Sequence, residues 1–314
     1  MQAIRISDHG GPEIMEVVEV PPPEPGPDQL LVDVAAIGVN YRDVYEREGA
    51  YGGDLPAIIG TEGAGTAVGS GERVVWLSAP ASYAEQVAVD QGRAVPIPDG
   101  VSDELAAAAL LQGITAHYLA TSTHEVLEGE NALVHAAAGG VGLLLTQIVT
   151  MRGGRVIATT SSAEKAQLAR RAGAAEAIGY DGFAERVREL TSGVGADVVY
   201  DGVGAATFDE SLASLRLRGD MVLFGAASGK VPPFDPMRLE AGGSLFLTRP
   251  GIRHYTATRE ELLERARDVF TWISEGTLDI RIGARYPLTE ARQAHEDLEA
   301  RRTTGKVVLL PEGI

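Results

Sequence analysis

Over the first hundred residues apolar and polar positions alternate in short runs: "AIRI" at 3–6, "LLVDVAAIGV" at 30–39, "GTAVGS" at 65–70, "RVVWL" at 73–77 and "EQVAV" at 85–89. A period of two, broken by glycine and proline, predicts strands and a compact, mostly antiparallel β domain. The proline-rich "PPPEPGP" at 21–27 lies between two strand-like runs and reads as a stiff surface connection, so no domain boundary falls there. Ser102 then offers an N-cap, Asp103 and Glu104 follow in the first turn, and an Ala/Leu run predicts a helix to about Ala120.

From Asn131 the pattern changes. "NALVHAA", "GRVIATT", "AEAIGY", "ADVVYDGVG" and "GDMVLFGAA" are apolar runs separated by helix-like stretches such as "AEKAQLARRAGA". Alternating strands and helices predict a doubly wound parallel sheet. Near Thr258 it changes again: Thr258 and Glu261 suit a capping box before "LLERARDVFTWIS", another helix is expected near Thr289, and "KVVLLP" reads as a last strand. The expected organisation is an α/β domain over 121–254 inserted in a β domain made of 1–120 and 255–314, because so short a tail would bury little alone.

A chain of 314 residues suits two domains, and 45% apolar with 23% charged residues, without a long apolar run, suits a globular protein rather than a membrane one. The first twenty residues lack the basic and apolar regions of a signal peptide, so a cytoplasmic location is expected. Zero cysteines exclude disulfides, thiolate nucleophiles, cysteine-ligated zinc and iron–sulfur clusters. A net charge of −17, spread along the chain, repels polyanions, so neither nucleic acid nor membrane is an expected partner. The six histidines show no metal spacing, and His117, on the long helix, reads as packed or capping.

The stretch "HAAAGGVG" at 135–142 carries Ala137-x-Gly139-x-x-Gly142, the dinucleotide fingerprint with alanine at the first glycine, between a predicted strand and a predicted helix. The helix start offers unpaired N–H groups and a positive dipole end to a pyrophosphate. A Cβ at Gly139 would stand between backbone and phosphate, and one at Gly142 would push helix from strand. NAD-binding folds end the next strand on an acid that bonds the ribose 2′-OH. Here it ends "ATTSSAEK", with Thr159, Thr160, Ser161, Ser162 and then Lys165, a set suited to a 2′-phosphate, so NADPH is the expected cofactor. Lys165 also reads as a solvated helix residue, and Tyr180, after the third strand, either stacks by the adenine, donates its phenol or simply packs.

Taken with "GVNYRDVYEREGAY" (38–51), "IIGTEGAG" (58–65), "LLQGITAHYL" (110–119), "YDGVG" (200–204), "LFGAASG" (223–229), "LTRP" (247–250) and "GKVVLLP" (305–311), the chain resembles the medium-chain dehydrogenase/reductase superfamily. Within it, the resemblance is to the zinc-free quinone oxidoreductases related to zeta-crystallin. It implies a GroES-like β domain built from both chain ends and an inserted Rossmann domain, with the nicotinamide in the cleft between them. The superfamily's zinc alcohol dehydrogenases carry Gly-His-Glu where this chain has "GTE", together with a catalytic cysteine and a four-cysteine lobe. With Thr61 in the histidine position and no cysteine, neither zinc site is expected, which shifts the expectation from alcohol oxidation to reduction of an activated acceptor.

By resemblance Asn40 and Tyr45 approach the nicotinamide, Tyr51 stands at the substrate mouth and Thr115 lies near the cofactor. Ala137, Gly139, Gly140, Val141 and Gly142 run along the pyrophosphate, and Thr160, Ser161, Lys165 and Tyr180 lie at the adenosine end. Val203, Phe224, Gly225 and Leu247 form the nicotinamide-side wall, and Lys306 stands near where relatives place a basic contact to the 2′-phosphate. Asp43 reads either as a general acid or as a structural acceptor, and Arg249 as a ligand contact or a buried ion-pair member. Between "AVGSG" and "ERVV" relatives carry several more residues, so one hairpin is expected to be short. Relatives pair through the edge of the Rossmann sheet, which makes "SLFLTRP" (244–250) the expected strand of a homodimer.

Three functions remain open. NADPH can deliver hydride, or electrons singly, to a quinone, whose reduced oxygen is a stable phenolate-like anion that needs little acid help. An enoyl reductase acting on an alkenal, enone or enoyl thioester needs a proton at the carbon α to the carbonyl, with Tyr51 or Tyr45 as candidate donor. A binding protein, crystallin-like or a sensor, would hold NADPH without turnover. Quinone reduction is preferred on the resemblance.

Overall fold

The structure, a computed structural model, describes residues 1–311. It divides into two compact units, one made of Met1–Gln112 with the segment from Thr258 onward and the other of Gly113–Ala257. In the first, β1 (Gln2–Ile6), β2 (Glu16–Glu19), β3 (Gln29–Val39), α1 (Tyr41–Arg47), β4 (Ala57–Ile58), β5 (Glu62–Ala67), β6 (Arg73–Leu77), β7 (Gln86–Asp90) and β8 (Ala94–Pro96) lead to α2 (Asp103–Tyr118). The long β3 buries Val32, Val34 and Ala36 while Asp33 faces out, and pairs antiparallel with both β5 and β7. The β5–β6 hairpin is short, as the sequence suggests, closed by Ala67 N–H donating to the Glu72 carbonyl at 2.9 Å. Ser102 caps α2 by accepting from Leu105 N–H at 3.1 Å, and Ala106 to Leu110 are all fully buried. A helix with so little polar surface survives only when covered.

The second unit runs β9 (Asn131–Val134), α3 (Gly140–Met151), β10 (Arg155–Thr159), α4 (Ala163–Arg171), β11 (Glu176–Ile178), α5 (Phe183–Leu190), β12 (Ala196–Asp201), α6 (Phe208–Ser214), β13 (Leu215–Leu223), α7 (Met237–Ala241) and β14 (Phe246–Thr248). Among the described residues its strands form one parallel sheet in the order β11-β10-β9-β12-β13-β14. Strands buried on both faces carry near-continuous apolar runs, which is why "ALV" and "DVVY" do not alternate. Leu133, Ile157, Val199 and Met221 pack with Phe183, Phe208 and Leu212. The strand order reverses between β9 and β12, the switch point at which open parallel sheets bind ligands beyond their strand ends.

The chain then returns to the first unit as α8 (Arg259–Ser274), β15 (Ile282–Pro287), α9 (Ala291–Glu299) and β16 (Lys306–Leu310). β16 pairs antiparallel with β3, so the end of the chain completes the sheet that its beginning starts. Ile4, Ile37, Trp76 and Tyr83 share a core with Val307 and Leu309. Among the described residues no helix is long and apolar enough to cross a membrane.

Candidate functional site

Beyond Val134 the chain turns through 135–139 into α3. Ala136 sits in the left-handed region at φ 49°. Its carbonyl accepts from Gly139 N–H at 2.8 Å, and its N–H donates to the Tyr180 hydroxyl at 3.0 Å, which ties the loop to the segment after β11. Gly139 has ordinary extended angles, φ −78° and ψ 173°, so its missing side chain is a matter of room. A Cβ there would meet only the Ala136 carbonyl oxygen, at 3.2 Å. At Gly142 it would lie 2.4 Å from that oxygen and 2.7 Å from Ala137 Cα, so only glycine lets the helix seat on the loop.

No side chain caps α3, and Gly139, Gly140 and Val141 are only half-buried. A bare helix start at the switch point, cleared of side chains, fits a pyrophosphate through its N–H groups and dipole. At the end of β10, Thr160 is buried, Ser161 is exposed, and Ser162 caps α4 by accepting from Lys165 N–H at 3.2 Å. Hydroxyls and a cation with no carboxylate suit a 2′-phosphate, so the residues present fit NADPH. Asp201 at the end of β12 holds the amides of Val203 and Gly204 on its Oδ1 at 2.8 and 2.9 Å. A Cβ at Gly225 would lie 2.4 Å from the Gly202 carbonyl, so the segments holding Val203 and Phe224 run in close contact. Leu247 is half-buried in β14, and Thr115 is buried on α2.

In the first unit Asn40 caps α1 in a capping box with Asp43. Its Nδ2 donates to the Glu62 carboxylate at 2.8 Å and the Gly38 carbonyl at 3.2 Å. Its Oδ1 accepts from Lys306 Nζ at 2.8 Å and Gln112 Nε2 at 3.4 Å. A carboxamide has two donors and two acceptor sites, and all four are used. Lys306 and Glu62 are fully buried, with Nζ 2.5 Å from Oε2. Gly38 makes the space, since a Cβ there would lie 2.4 Å from Glu62 Oε2. The Tyr45 ring meets Tyr41 at 5.3 Å and Tyr51, edge-on, at 6.4 Å. Tyr51 is 58% exposed, with the Arg42 guanidinium 5.2 Å above its ring.

Asp43 is fully buried and accepts from Asn40 N–H at 2.8 Å, Tyr83 O–H at 3.0 Å and Thr61 O–H at 3.4 Å. Tyr83 also meets His295 Nε2 at 3.0 Å, His295 Nδ1 meets Arg47 at 3.1 Å, and Arg47 pairs with Glu299 at 2.6 Å. Burial pushes the Asp43 carboxyl up to about 7 and His295 down to about 3. With three donors and no exposed surface, Asp43 is a structural acceptor that anchors the start of α1.

The model of the alcohol dehydrogenase GroES-like domain matches residues 26–99, and that of the zinc-binding dehydrogenase domain matches 140–269. A quinone oxidoreductase of Pseudomonas aeruginosa is 44% identical, covering 98% of this chain and 99% of its own. The chain belongs to the zinc-free quinone oxidoreductase family of the medium-chain dehydrogenases and reductases. A mycobacterial protein solved with NADPH is 50% identical over 99% of this chain and 100% of its own, with a TM-score of 0.97. A 2-haloacrylate reductase of a Burkholderia species is 37% identical, covering 99% of each chain.

In this member of the zinc-free quinone oxidoreductase family the zinc position does not fit a metal: Thr61 donates to Asp43, and Glu62 is engaged by Lys306. Among the described residues no group of three or more His, Cys, Asp or Glu is placed to hold an ion. Lys306 corrects an expectation. Its ammonium is buried on Glu62 and Asn40, so it is not available to a 2′-phosphate. Of the two readings for Arg249 the buried ion pair falls away, since the residue is exposed and donates to the Pro250 carbonyl at 3.2 Å. Glu62, Gln112, His135 and Asp201 escape notice in the sequence. For Glu62 and His135 the available signal was an ionisable residue in an otherwise small or apolar run, as in "GTEGAG" and "LVHAAAGG".

Proposed function

We propose that this protein is an NADPH-dependent quinone oxidoreductase that needs no metal. The bare, glycine-lined start of α3, beside a β10 that ends on hydroxyls instead of a carboxylate, carries this assignment. The activities of its relatives and the NADPH in the mycobacterial structure support it. When bound, NADPH supplies the hydride, or electrons singly, to the acceptor. Gly139, Gly140, Val141 and Gly142, with Ala137, hold the pyrophosphate, while Thr160, Ser161, Lys165 and Tyr180 hold the adenosine end. Val203, Phe224, Gly225 and Leu247, with Thr115, line the nicotinamide side and keep water away from it. Tyr45 and Tyr51 are assigned to the acceptor, which leaves as a stabilised phenolate-like anion and asks little of an acid, while Asn40, whose carboxamide is fully engaged, fixes the start of the helix that carries Tyr45. The protein acts as a cytoplasmic homodimer on this proposal.

A second substrate class is favoured by one observation. Tyr51 is exposed with its ring against Tyr45, and a relative reduces 2-haloacrylates, which are unsaturated acids. Reduction of an activated C=C bond requires a proton at the α carbon, and these phenols are the donors assigned to it. NADPH and NADH consumption with 1,4-benzoquinone, 9,10-phenanthrenequinone, 2-hexenal and crotonyl-CoA tests both classes. Fast NADPH-dependent turnover of quinones, retained in Tyr45→Phe/Tyr51→Phe, is the expected outcome. Preference for the enal or thioester, lost in that variant by about 100-fold or more, makes the protein an enoyl reductase. Preference for NADH overturns the role of Lys165.

A further inference from the structure

Beneath the glycine loop lies a buried polar cluster. His135, Thr159, Ser211 and Asp201 are at most 1% exposed. They come from the ends of the three neighbouring strands β9, β10 and β12, and from α6. His135 Nδ1 lies 2.8 Å from Thr159 Oγ1, His135 Nε2 lies 2.9 Å from Ser211 Oγ, and Ser211 Oγ lies 2.9 Å from Asp201 Oδ2.

The chemistry of these groups leaves one arrangement of protons. A carboxylate only accepts, so Ser211 donates to Asp201. Its oxygen then accepts from His135, which puts the ring proton on Nε2. The neutral ring's lone pair is therefore on Nδ1 and accepts from the Thr159 hydroxyl. Burial pushes His135 down to about 4 against the opposing pull of Asp201, so the ring is neutral at neutral pH. Its plane is fixed by Tyr180, stacked at 6.1 Å, and by the edge of Phe183 at 4.8 Å.

We infer that Thr159, His135, Ser211 and Asp201 form a one-directional hydrogen-bond chain that sets the relative positions of the pyrophosphate loop and the Val203 turn, with His135 and Ser211 as positioning residues. At one end stands the strand whose terminus carries Thr160 and Ser161. At the other, Asp201 takes Thr207 O–H at 2.7 Å on Oδ2 and holds the Val203 and Gly204 amides on Oδ1. His135 itself opens the glycine loop, and the neighbouring Ala136 N–H is held by Tyr180. The chain spans the switch point, so a change at Ser211, on a helix behind the sheet, moves the turns on which both ends of a dinucleotide would rest. This inference depends on NADPH being the ligand.

The test pairs a spectroscopic readout without cofactor with NADPH titration. Long-range 15N–1H spectra of the purified protein are expected to show His135 neutral at pH 7, protonated on Nε2 and with an acceptor-like Nδ1. Ser211→Ala and His135→Leu are expected to raise the NADPH dissociation constant by about tenfold, as loss of a buried hydrogen-bond partner does. His135→Gln, which keeps a donor toward Ser211, is expected to recover part of that loss. A ring protonated on Nδ1, a charged ring at pH 7, or wild-type affinity in both variants overturns the chain. Wild-type protein that fails to bind NADPH overturns the functional proposal and the positioning role with it, whereas the tautomer still decides the hydrogen-bond order.

Discussion

Lys306 shows how burial decides what a charged residue can do. Its ammonium and the Glu62 carboxylate are both out of water, and each satisfies the other. Lys306→Met leaves the buried Glu62 carboxylate without its counter-charge and removes one of the two donors to the Asn40 carbonyl oxygen, with an expected loss of about 3–5 kcal/mol of unfolding free energy by chemical denaturation. Discrimination between NADPH and NADH should stay unchanged in that variant. Wild-type stability with selectively weakened NADPH binding would instead return Lys306 to the 2′-phosphate. At this scale Gly142 and Ser102 were legible, because a fingerprint glycine and an N-cap act on neighbours a few residues away. Glu62 was not, since nothing around it in "GTEGAG" announces a lysine 244 positions later.

The elements themselves follow the sequence pattern closely where the deciding interaction is local. Thr258 caps α8 by accepting from Glu261 N–H at 3.2 Å, and α2 ends at Tyr118 before a π turn over Leu119–Thr123, near the expected Ala120. β13 starts earlier than its apolar run, at Leu215, because pairing with β12 through an irregular register, and not composition, fixes where that strand begins. Among the described residues β14 stands at the edge of the parallel sheet, bonded only to β13, with Phe246 60% exposed. An edge strand with an outward aromatic is a template for pairing. Light scattering is expected to give twice the chain mass for the protein and a single chain mass for Phe246→Asp; a monomeric wild type removes the dimer.

At the scale of the whole molecule the buried titratable groups set how stability varies with pH. His135 and His295 titrate near 4 and 3 when folded and near 6.5 when unfolded, while Asp43 titrates near 7 folded and 3.8 unfolded. Between about pH 4 and 6.5 the unfolded chain therefore holds two extra protons on the histidines and the folded chain one on Asp43. These three groups together make stability rise with pH there by about 1.4 kcal/mol per unit. In His295→Gln one histidine proton is removed and this slope should flatten; denaturation midpoints across that range with an unaltered slope would show that His295 titrates normally. The sequence by itself determined the βα alternation, the glycine loop, the β-rich ends and the lack of any cysteine chemistry, because periodicity, capping and turn preference are properties of neighbouring residues. Only the tertiary structure decided that Asn40 is saturated by a lysine 266 residues away and that His135 faces a serine 76 residues on. Such pairs are chosen by which strands and helices lie side by side, and burial then turns their proximity into fixed protons and charges.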